Sequence, residues 1–223
     1  MDTAGAPYRA VALIGDVVGS KQAPDRSALQ ASLVAALTAV NAVVPSIQPL
    51  GPTLGDEFQG VYADVARAVR ASVLVRLHLL PVDTRYGLGT GDLTVFQQST
   101  HPVSQDGPAW WSAREAIEYV QGRQARRGHA RHLRTWLIDS TGPEAAAQVN
   151  AFLLSRDETI GLQTERARRL LLGALLGQSQ LELAQSERIS QSAVSQQLGT
   201  SGAYAICDAH AVLDSLPANG APS

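Results

Sequence analysis

Hydrophobic positions recur along this chain with two different periods. Arg9-Ala-Val-Ala-Leu-Ile-Gly-Asp16-Val-Val is a short apolar run, rich in β-branched residues, that ends in Gly19-Ser20. Such a run predicts a buried strand followed by a turn. Residues 25–42 carry apolar side chains at helical spacing behind Asp25, which predicts a helix. Pro45 to Leu54 and Phe58 to Ala63 read as two strands, and Gly55-Asp56-Glu57 between them suits a hairpin. A second helix is predicted over residues 64–80, with Asp64 as its N-cap. Thr84 to Thr94 reads as a glycine-interrupted strand, residues 107–128 as a helix ending at Gly128, and Arg134 to Ile138 as a last strand. The order β-α-β-β-α-β-α-β predicts an α+β fold that begins with a ferredoxin-like, split βαβ sheet with additions.

The pattern changes after Gly142-Pro143. Residues 143–155, 158–176, 178–186, 190–198 and 203–216 all predict helices. The chain therefore divides into residues 1–141 and an all-α domain over 142–223, hinged near residue 141 without a long linker. The tail, residues 217–223, is expected to fray. Residues 178–199 resemble a helix-turn-helix, in which Leu181, Ala184, Ile189, Val194 and Leu198 have the spacing of a small core between crossed helices. Ser190 suits the cap of the second helix and Gly199 its stop. That helix is expected to show Gln191, Ser192, Ser195 and Gln196 outward. With Arg188 and Ser190, these are the candidate contacts to double-stranded DNA. Short hydroxyls suit phosphates, and glutamine pairs with adenine edges. Two features argue against strong binding: the second helix has no Lys or Arg, and residues 141–223 hold 5 basic against 8 acidic residues. Arg166, Arg168 and Arg169 upstream partly compensate. The last helix carries Ile206, Ala209, Val212, Leu213 and Leu216 on one stripe, which suits packing on its own domain or a homodimer. A paired module reading two half-sites is the usual arrangement for weak single modules.

Composition narrows the class. Of 223 residues, 45% are hydrophobic and 17% charged, which excludes a disordered chain. Charges interrupt every apolar stretch before the ~18 residues that a membrane helix needs. The first residues carry no signal-peptide pattern, so a cytoplasmic protein with no membrane partner is expected. The net charge of −2 excludes a bulk cationic nucleic-acid binder. A single cysteine, Cys207, excludes an internal disulfide framework and a Cys-based zinc site.

The candidate chemistry lies in three acidic residues. Asp16 ends the first strand, while Asp56 and Glu57 sit in the hairpin of the next two. A split βαβ sheet sets that hairpin beside the first strand, so the three carboxylates are expected to converge. Gathered carboxylates repel one another unless a cation neutralises them. Hard oxygen ligands without His or Cys favour Mg²⁺ or Mn²⁺. The following Val17-Val18-Gly19-Ser20-Lys21 offers backbone N–H groups, a hydroxyl and the chain's single lysine to a phosphate. Read alone, Asp16 is equally a turn or cap residue, and Asp56-Glu57 equally a solvated hairpin tip.

Weaker signals accompany this site. Gly87-Leu-Gly-Thr-Gly91 has the wrong spacing for a dinucleotide loop and reads as a strand that lets another backbone or a ligand approach. Trp110 and Trp111 read either as a base-stacking pair or as one core and one surface residue. Thr90 and Asp92 are candidate lining residues, and His78 reads as structural. Arg123, Arg126, Arg127, Arg131 and Arg134, with His129 and His132, form the strongest cationic cluster, either a solvated helix end or a phosphate patch.

Four ordered blocks carry a resemblance to a known family. Ile14-Gly-Asp16-Val-Val-Gly-Ser20, Leu54-Gly-Asp-Glu-Phe-Gln-Gly60, Arg85-Tyr-Gly-Leu-Gly-Thr-Gly91 and Asp106-Gly-Pro-Ala-Trp-Trp-Ser-Ala-Arg114-Glu-Ala116 resemble the SatD family. They are similar, more distantly, to class III nucleotidyl cyclase and GGDEF-type diguanylate cyclase domains. That likeness implies a cyclase-like palm in which Asp16, Asp56 and Glu57 hold metal on a nucleoside triphosphate. It implies that the Gly19-Ser20 turn faces the triphosphate and that Arg114 steadies charge on the reacting phosphate. The departures lie in the base and ribose half. Pro52 stands where the cyclase pattern has a base-selecting Lys, Trp110 where it has an Asn, and Leu54 where the GGDEF pattern has a second Gly. The expected function is a DNA-binding transcriptional regulator with a Mg²⁺-dependent nucleotide sensor. The alternatives are a nucleotidyl- or phosphoryl-transfer enzyme, with Arg114 as its candidate catalytic residue, and an interaction module whose acidic loop is a remnant.

Overall fold

The computed structural model describes residues 6–53, 55–97, 104–125 and 131–215. The first strand, β1 (Tyr8–Val17), ends in a single 3-10 turn at Ser20–Gln22. Helix α1 (Arg26–Asn41) follows, then the hairpin β2 (Gln48–Pro52) and β3 (Glu57–Tyr62), and helix α2 (Val65–His78). Asp64 caps α2 as predicted, accepting from the Arg67 N–H at 2.9 Å, and Asp25, predicted near the start of α1, caps that helix by accepting from the Ala28 N–H at 2.9 Å. The long β4 (Thr84–Gln97) is succeeded by β5 (Ser104–Asp106), α3 (Pro108–Gln124) and β6 (Thr135–Asp139). The short β5 is an addition to the predicted order, and three residues are too few to leave a period-2 signal.

These strands form one mixed sheet in the order β2-β3-β1-β4. β1 runs antiparallel to β3 and β4, β6 pairs parallel with β4, and β5 pairs antiparallel with the far end of β4. β1 is buried on both faces, which is why it reads as a continuous apolar run. On one face Val11, Leu13 and Val17 pack with Phe58, Tyr62, Tyr86 and Leu88 under α1 and α2. On the other, Ala10, Ala12 and Ile14 pack under α3 through Trp110, Ala113 and Ile117.

Five helices complete the chain: α4 (Pro143–Leu162), α5 (Glu165–Leu175), α6 (Gln180–Glu187), α7 (Gln191–Thr200) and α8 (Ala203–Asp214). Pattern reading breaks the first of these near residue 156, because Arg156-Asp157 interrupts the apolar spacing. The helix instead runs through both residues, and both are fully buried. Asp157 Oδ2 accepts the backbone N–H groups of Arg134 and Thr135, each at 2.7 Å. Its Oδ1 accepts from Arg156 at 2.9 and 3.1 Å and from Arg76 at 3.3 Å. Two turns earlier, Asn150 exchanges paired 2.8 Å bonds with the backbone of Leu137. The side chains of α4 thus satisfy the edge of β6 that faces away from β4. One apolar cluster runs from Leu13 of the sheet through Leu153, Leu171 and Ile206 of the helices. No described helix is long and apolar enough to cross a membrane.

Removing one partner of a buried, hydrogen-bonded ion pair strands the other charge. Asp157→Ala is therefore expected to destabilise the protein by about 3–5 kcal/mol, measured by urea denaturation. A second expectation concerns His210 in α8. Its ring is buried edge-on to Phe152, and neither nitrogen finds a hydrogen-bond partner among the described residues. Burial, reinforced by the charges of Arg156 and Arg70, pushes it down to about 3. The unfolded chain binds this proton near 6.5 and the folded chain does not, so its contribution is intact above pH 6.5. That contribution, up to about 5 kcal/mol, is lost progressively as pH falls toward 3. His210→Leu is expected to flatten that slope in denaturation curves taken across the same range.

Candidate active-site row and helix pair

Strand register builds the site. Asp16 lies opposite Glu57 across the β1–β3 pair and opposite Arg85 across the β1–β4 pair. Cross-strand partners share a face, so these three residues form one row across three strands. It is the face that α3 covers. The glycines of β4 permit this cover, because a Cβ at Gly87 would collide with the α3 backbone at Ala113 and Ile117, and one at Gly89 with the backbone at Ala109 and Ala113. The expected approach at this strand is therefore made by a helix backbone. Arg114 and Gln121, two turns apart on α3, reach down to the row.

Each carboxylate has its own partner. Arg114 donates two bonds to Glu57, at 2.7 and 2.8 Å. Asp16 accepts from Arg85 Nε at 3.0 Å and from Gln121 Nε2 at 3.2 Å. Asp56 accepts from the Ser20 hydroxyl at 2.5 Å. Burial raises Asp16 above the usual carboxylate range, against the opposing pull of Arg85. The bond to Glu57 raises Arg114 above its ordinary value. Among the described residues, no three His, Cys, Asp or Glu side chains gather at metal-binding spacing. The expected convergence thus takes a different form. The fold relieves repulsion within the row by giving Asp16 and Glu57 an arginine each. The donor set still suits a hard divalent cation in kind, being three carboxylates with no His or Cys among the bonds described.

Gly19 turns the chain out of β1 in the left-handed region, at φ 72°, where glycine is favoured. The Val17 side chain lies in the core, and the Val18 N–H donates to the Asp83 carbonyl at 2.9 Å. Those two residues therefore build the turn and its anchor, and Val18 has no free N–H to give a phosphate. Gln22 and Ala23 close the turn onto the Gly19 and Ser20 carbonyls, and Lys21 is exposed. Beside it lies a cavity of about 310 Å³ lined by Ser20, Arg26, Ser27, Gln30, Gly55 and Asp56.

Sequence reading left Arg85, Gln121 and Arg26 without a role. Register would have found Arg85, and the seven-residue spacing from Arg114 would have found Gln121. Thr90 and Asp92 do not join the site, since they pair with Val11 and Arg9 at the opposite end of β1. Trp110 is 9% exposed and packs in the core, while Trp111 is 62% exposed and donates to Asp106 at 2.8 Å. The cationic cluster separates as well. Arg123 lies over the Tyr119 ring and Arg134 pairs with Asp83. Arg126, Arg127 and His129 lie outside the described residues.

In the helical half, α6 opens on Ser179 and Glu182, which cap each other's backbone, and ends on Arg188 in the left-handed region. Ser190 caps α7 by accepting from the Ala193 N–H at 3.2 Å. Leu183, Ala184, Val194 and Leu198 are buried between the helices, with Ile189 packed against them. Leu181, expected in that core, is 56% exposed, because Leu183 sits on the inward side of α6. α7 runs past Gly199 to Thr200, and the reversal falls at Gly202, φ 76°. Arg188, Ser190, Gln191, Ser192, Ser195 and Gln196 are all exposed. The upstream arginines are engaged elsewhere: Arg166 and Arg169 pair with Glu187, and Arg168 donates to the Ile160 and Gly161 carbonyls.

The two arginines of the row differ in replaceability. The Arg114 and Glu57 side chains are 47% and 28% exposed, whereas those of Arg85 and Asp16 are 19% and 15% exposed. An exposed pair contributes about 0–1 kcal/mol, so Arg114→Ala is expected to change stability by less than that. Arg85→Ala leaves a largely buried carboxylate short of its partner and is expected to cost more, about 1–3 kcal/mol. Chemical denaturation of both variants checks the ranking.

No curated protein matches the chain. The solved structures it is similar to include a bacterial light-regulated adenylyl cyclase, at 13% identity and a TM-score of 0.46, covering 59% of this chain and 43% of that one. They also include the adenylyl cyclase CyaB from P. aeruginosa, at 14% identity and a TM-score of 0.41, covering 50% and 73%. A third is the guanylate cyclase domain of RhGC from Catenaria anguillulae in complex with GTP, at 16% identity and a TM-score of 0.42, covering 51% and 75%. The chain thus spans less than half of the first of these proteins. The SatD family pattern matches residues 10–209, nearly the whole chain, and the protein belongs to the SatD family.

Proposed function

We propose that this SatD-family protein is a cytoplasmic regulator in which a nucleotide-binding palm governs a DNA-binding helix pair. The palm is the split βαβ sheet, and α6 with α7 is the helix-turn-helix, acting as a homodimer. The observation that carries the reading is the row of Asp16 and Glu57 set against the Gly19 turn, with Ser20 bonded to Asp56. In this reading Asp16, Asp56 and Glu57 hold Mg²⁺ or Mn²⁺, which would neutralise phosphate charge. Gly19, Ser20 and Lys21 contact the phosphates of a nucleoside triphosphate. Arg114, the more exposed of the two row arginines, leaves Glu57 for a phosphate oxygen. Arg85 stays with Asp16 and fixes its orientation. Arg188, Ser190, Gln191, Ser192, Ser195 and Gln196 face DNA. The nucleotide acts on DNA binding only if it prefers one arrangement of the two parts.

Phosphoryl or nucleotidyl transfer ranks second. It needs groups that select the base and activate a hydroxyl. Trp110 is in the core, and Pro52, although exposed, has no hydrogen-bonding side chain.

The test is calorimetric titration of ATP and GTP with Mg²⁺ into the full chain, with product analysis by chromatography. Binding without turnover is expected, weakened at least tenfold in Asp16→Ala/Asp56→Ala. A DNA-binding assay with and without that nucleotide is then expected to show a difference that the same double variant loses. Turnover would promote the transfer enzyme. Absence of binding by the natural protein would leave the acidic site a remnant.

A further inference from the structure

A second cavity, of about 690 Å³, lies between the other end of the sheet and the C-terminal helices. We propose that it is a ligand site for a small organic anion, a carboxylate or phosphate group carried on an apolar body. Its size falls in the range of small-molecule sites, about 300–1,000 Å³. Val11, Val44, Val65, Leu137, Val149 and Leu213 line it with apolar surface. It is separate from the carboxylate row. Arg9, Ala10 and Val11 border it, and a strand rising about 3.3 Å per residue places them roughly 20 Å along β1 from Asp16.

The polar groups select an anion. Three arginines line the cavity: Arg9, Arg67 and Arg70. Each sits beside an aspartate: Arg9 with Asp139 at 3.3 Å, Arg70 with Asp214 at 3.4 Å, and Arg67 with Asp64. Two of these aspartates are already committed. Asp139 also accepts the N–H and hydroxyl of Thr141, at 2.8 and 2.6 Å. Asp64 caps α2 through the Arg67 N–H. A guanidinium carries five N–H donors, and these arginines use only some of theirs. Guanidinium donors are therefore in surplus on these walls. Thr90 adds a further polar group. It is 6% exposed and lines the cavity beside Asp139. The first turn of the 14-residue α2, at Val65 and Ala66, forms part of the same wall and adds the positive end of its dipole. A cationic ligand would meet carboxylates that each already face an arginine. An anionic head meets spare guanidinium donors, with apolar walls for its body.

The walls come from both parts of the chain. β1, α2, β4 and β6 supply one side, while Gln148 and Val149 of α4 and Leu213 and Asp214 of α8 supply the other. A ligand here contacts both, so occupancy stabilises their present arrangement by mass action.

The experiment titrates phenyl phosphate, benzoate and inorganic phosphate separately into the full chain, by calorimetry and by thermal shift. The variants are Gln148→Trp, which obstructs the cavity from an exposed position, Arg9→Gln/Arg67→Gln, and Asp16→Ala/Asp56→Ala. At least one organic anion is expected to bind with a Kd tighter than about 1 mM and to raise Tm. Inorganic phosphate is expected to bind at least tenfold more weakly. Gln148→Trp and the arginine double variant are each expected to lose at least tenfold in affinity, with circular dichroism unchanged. Asp16→Ala/Asp56→Ala is expected to bind as the natural protein does. Preference for phenyl phosphate identifies a phosphate ester, and preference for benzoate a carboxylate. Three outcomes overturn the proposal: no binding by either organic anion, inorganic phosphate binding as tightly as they do, or binding lost in the Asp16/Asp56 variant and kept in the arginine variant.

Discussion

The seating of the helical half on the sheet depends on one buried carboxylate. A charge taken out of water costs several kcal/mol unless partners surround it. Asp157 meets that condition from two directions. Below it, the Arg134 and Thr135 N–H groups at the start of β6 need acceptors that no described strand supplies. Beside it, Arg156 and Arg76 supply positive charge. The same carboxylate therefore satisfies a sheet edge and anchors a helix. Arg156 extends the anchor by donating to the Thr135 hydroxyl at 2.6 Å and to the Val69 carbonyl at 3.2 Å. Substituting apolar residues for this cluster would still bury surface, but β6 would lose the acceptors that set its edge.

A second constraint acts on the opposite face. α3 lies on β4 so closely that Gly87 and Gly89 have no room for a Cβ. That contact sets the height of the helix above the sheet, and so the reach of Arg114 and Gln121 toward the acidic row. A small change in packing at these glycines would move both polar side chains together. The site is thus positioned by two rigid features, strand register for Asp16, Glu57 and Arg85, and backbone contact for Arg114 and Gln121. Its exposed member, the Arg114–Glu57 pair, is the one whose loss costs least.

Much of this was legible in the sequence, and the failures have identifiable causes. Asp25 and Asp64 marked helix starts because a capping carboxylate leaves a fixed offset to the first apolar residue. β1 was legible because burial on both faces makes an unbroken apolar run. Composition cannot separate a buried ion pair from an exposed one, so Arg156-Asp157 read as a helix break. Leu181 and Leu183 are two residues apart on α6, and periodicity alone did not decide which faces inward. The neighbourhood of Asp16 and Glu57 was legible because the predicted topology sets the hairpin beside β1. Their partners were not, since Arg85 and Gln121 join them only through register and through two turns of a helix that packs from above.

The two constraints meet at Asp83. Burial acts to raise this carboxyl, but the bond from Arg134 and the charge of Arg76 outweigh it and hold it below the usual range. Asp83 stays ionised and ties the cluster around Asp157 to the turn before β4. Its carbonyl then accepts the Val18 N–H, at the exit of β1 into the Gly19 turn. A continuous series of bonds therefore runs from α4 through Asp157, Arg76 and Asp83 to the turn beside Asp56. Contact of this kind carries a signal only through an element with two arrangements. Asp157 is poorly suited to be that element, since exposing it would leave a charge unpaired. The exposed Glu57–Arg114 bond lies at the end of this series, where exchange of one partner for another costs little. The physical organisation is thus a stiff middle with a replaceable ion pair, Glu57–Arg114, at its exposed end.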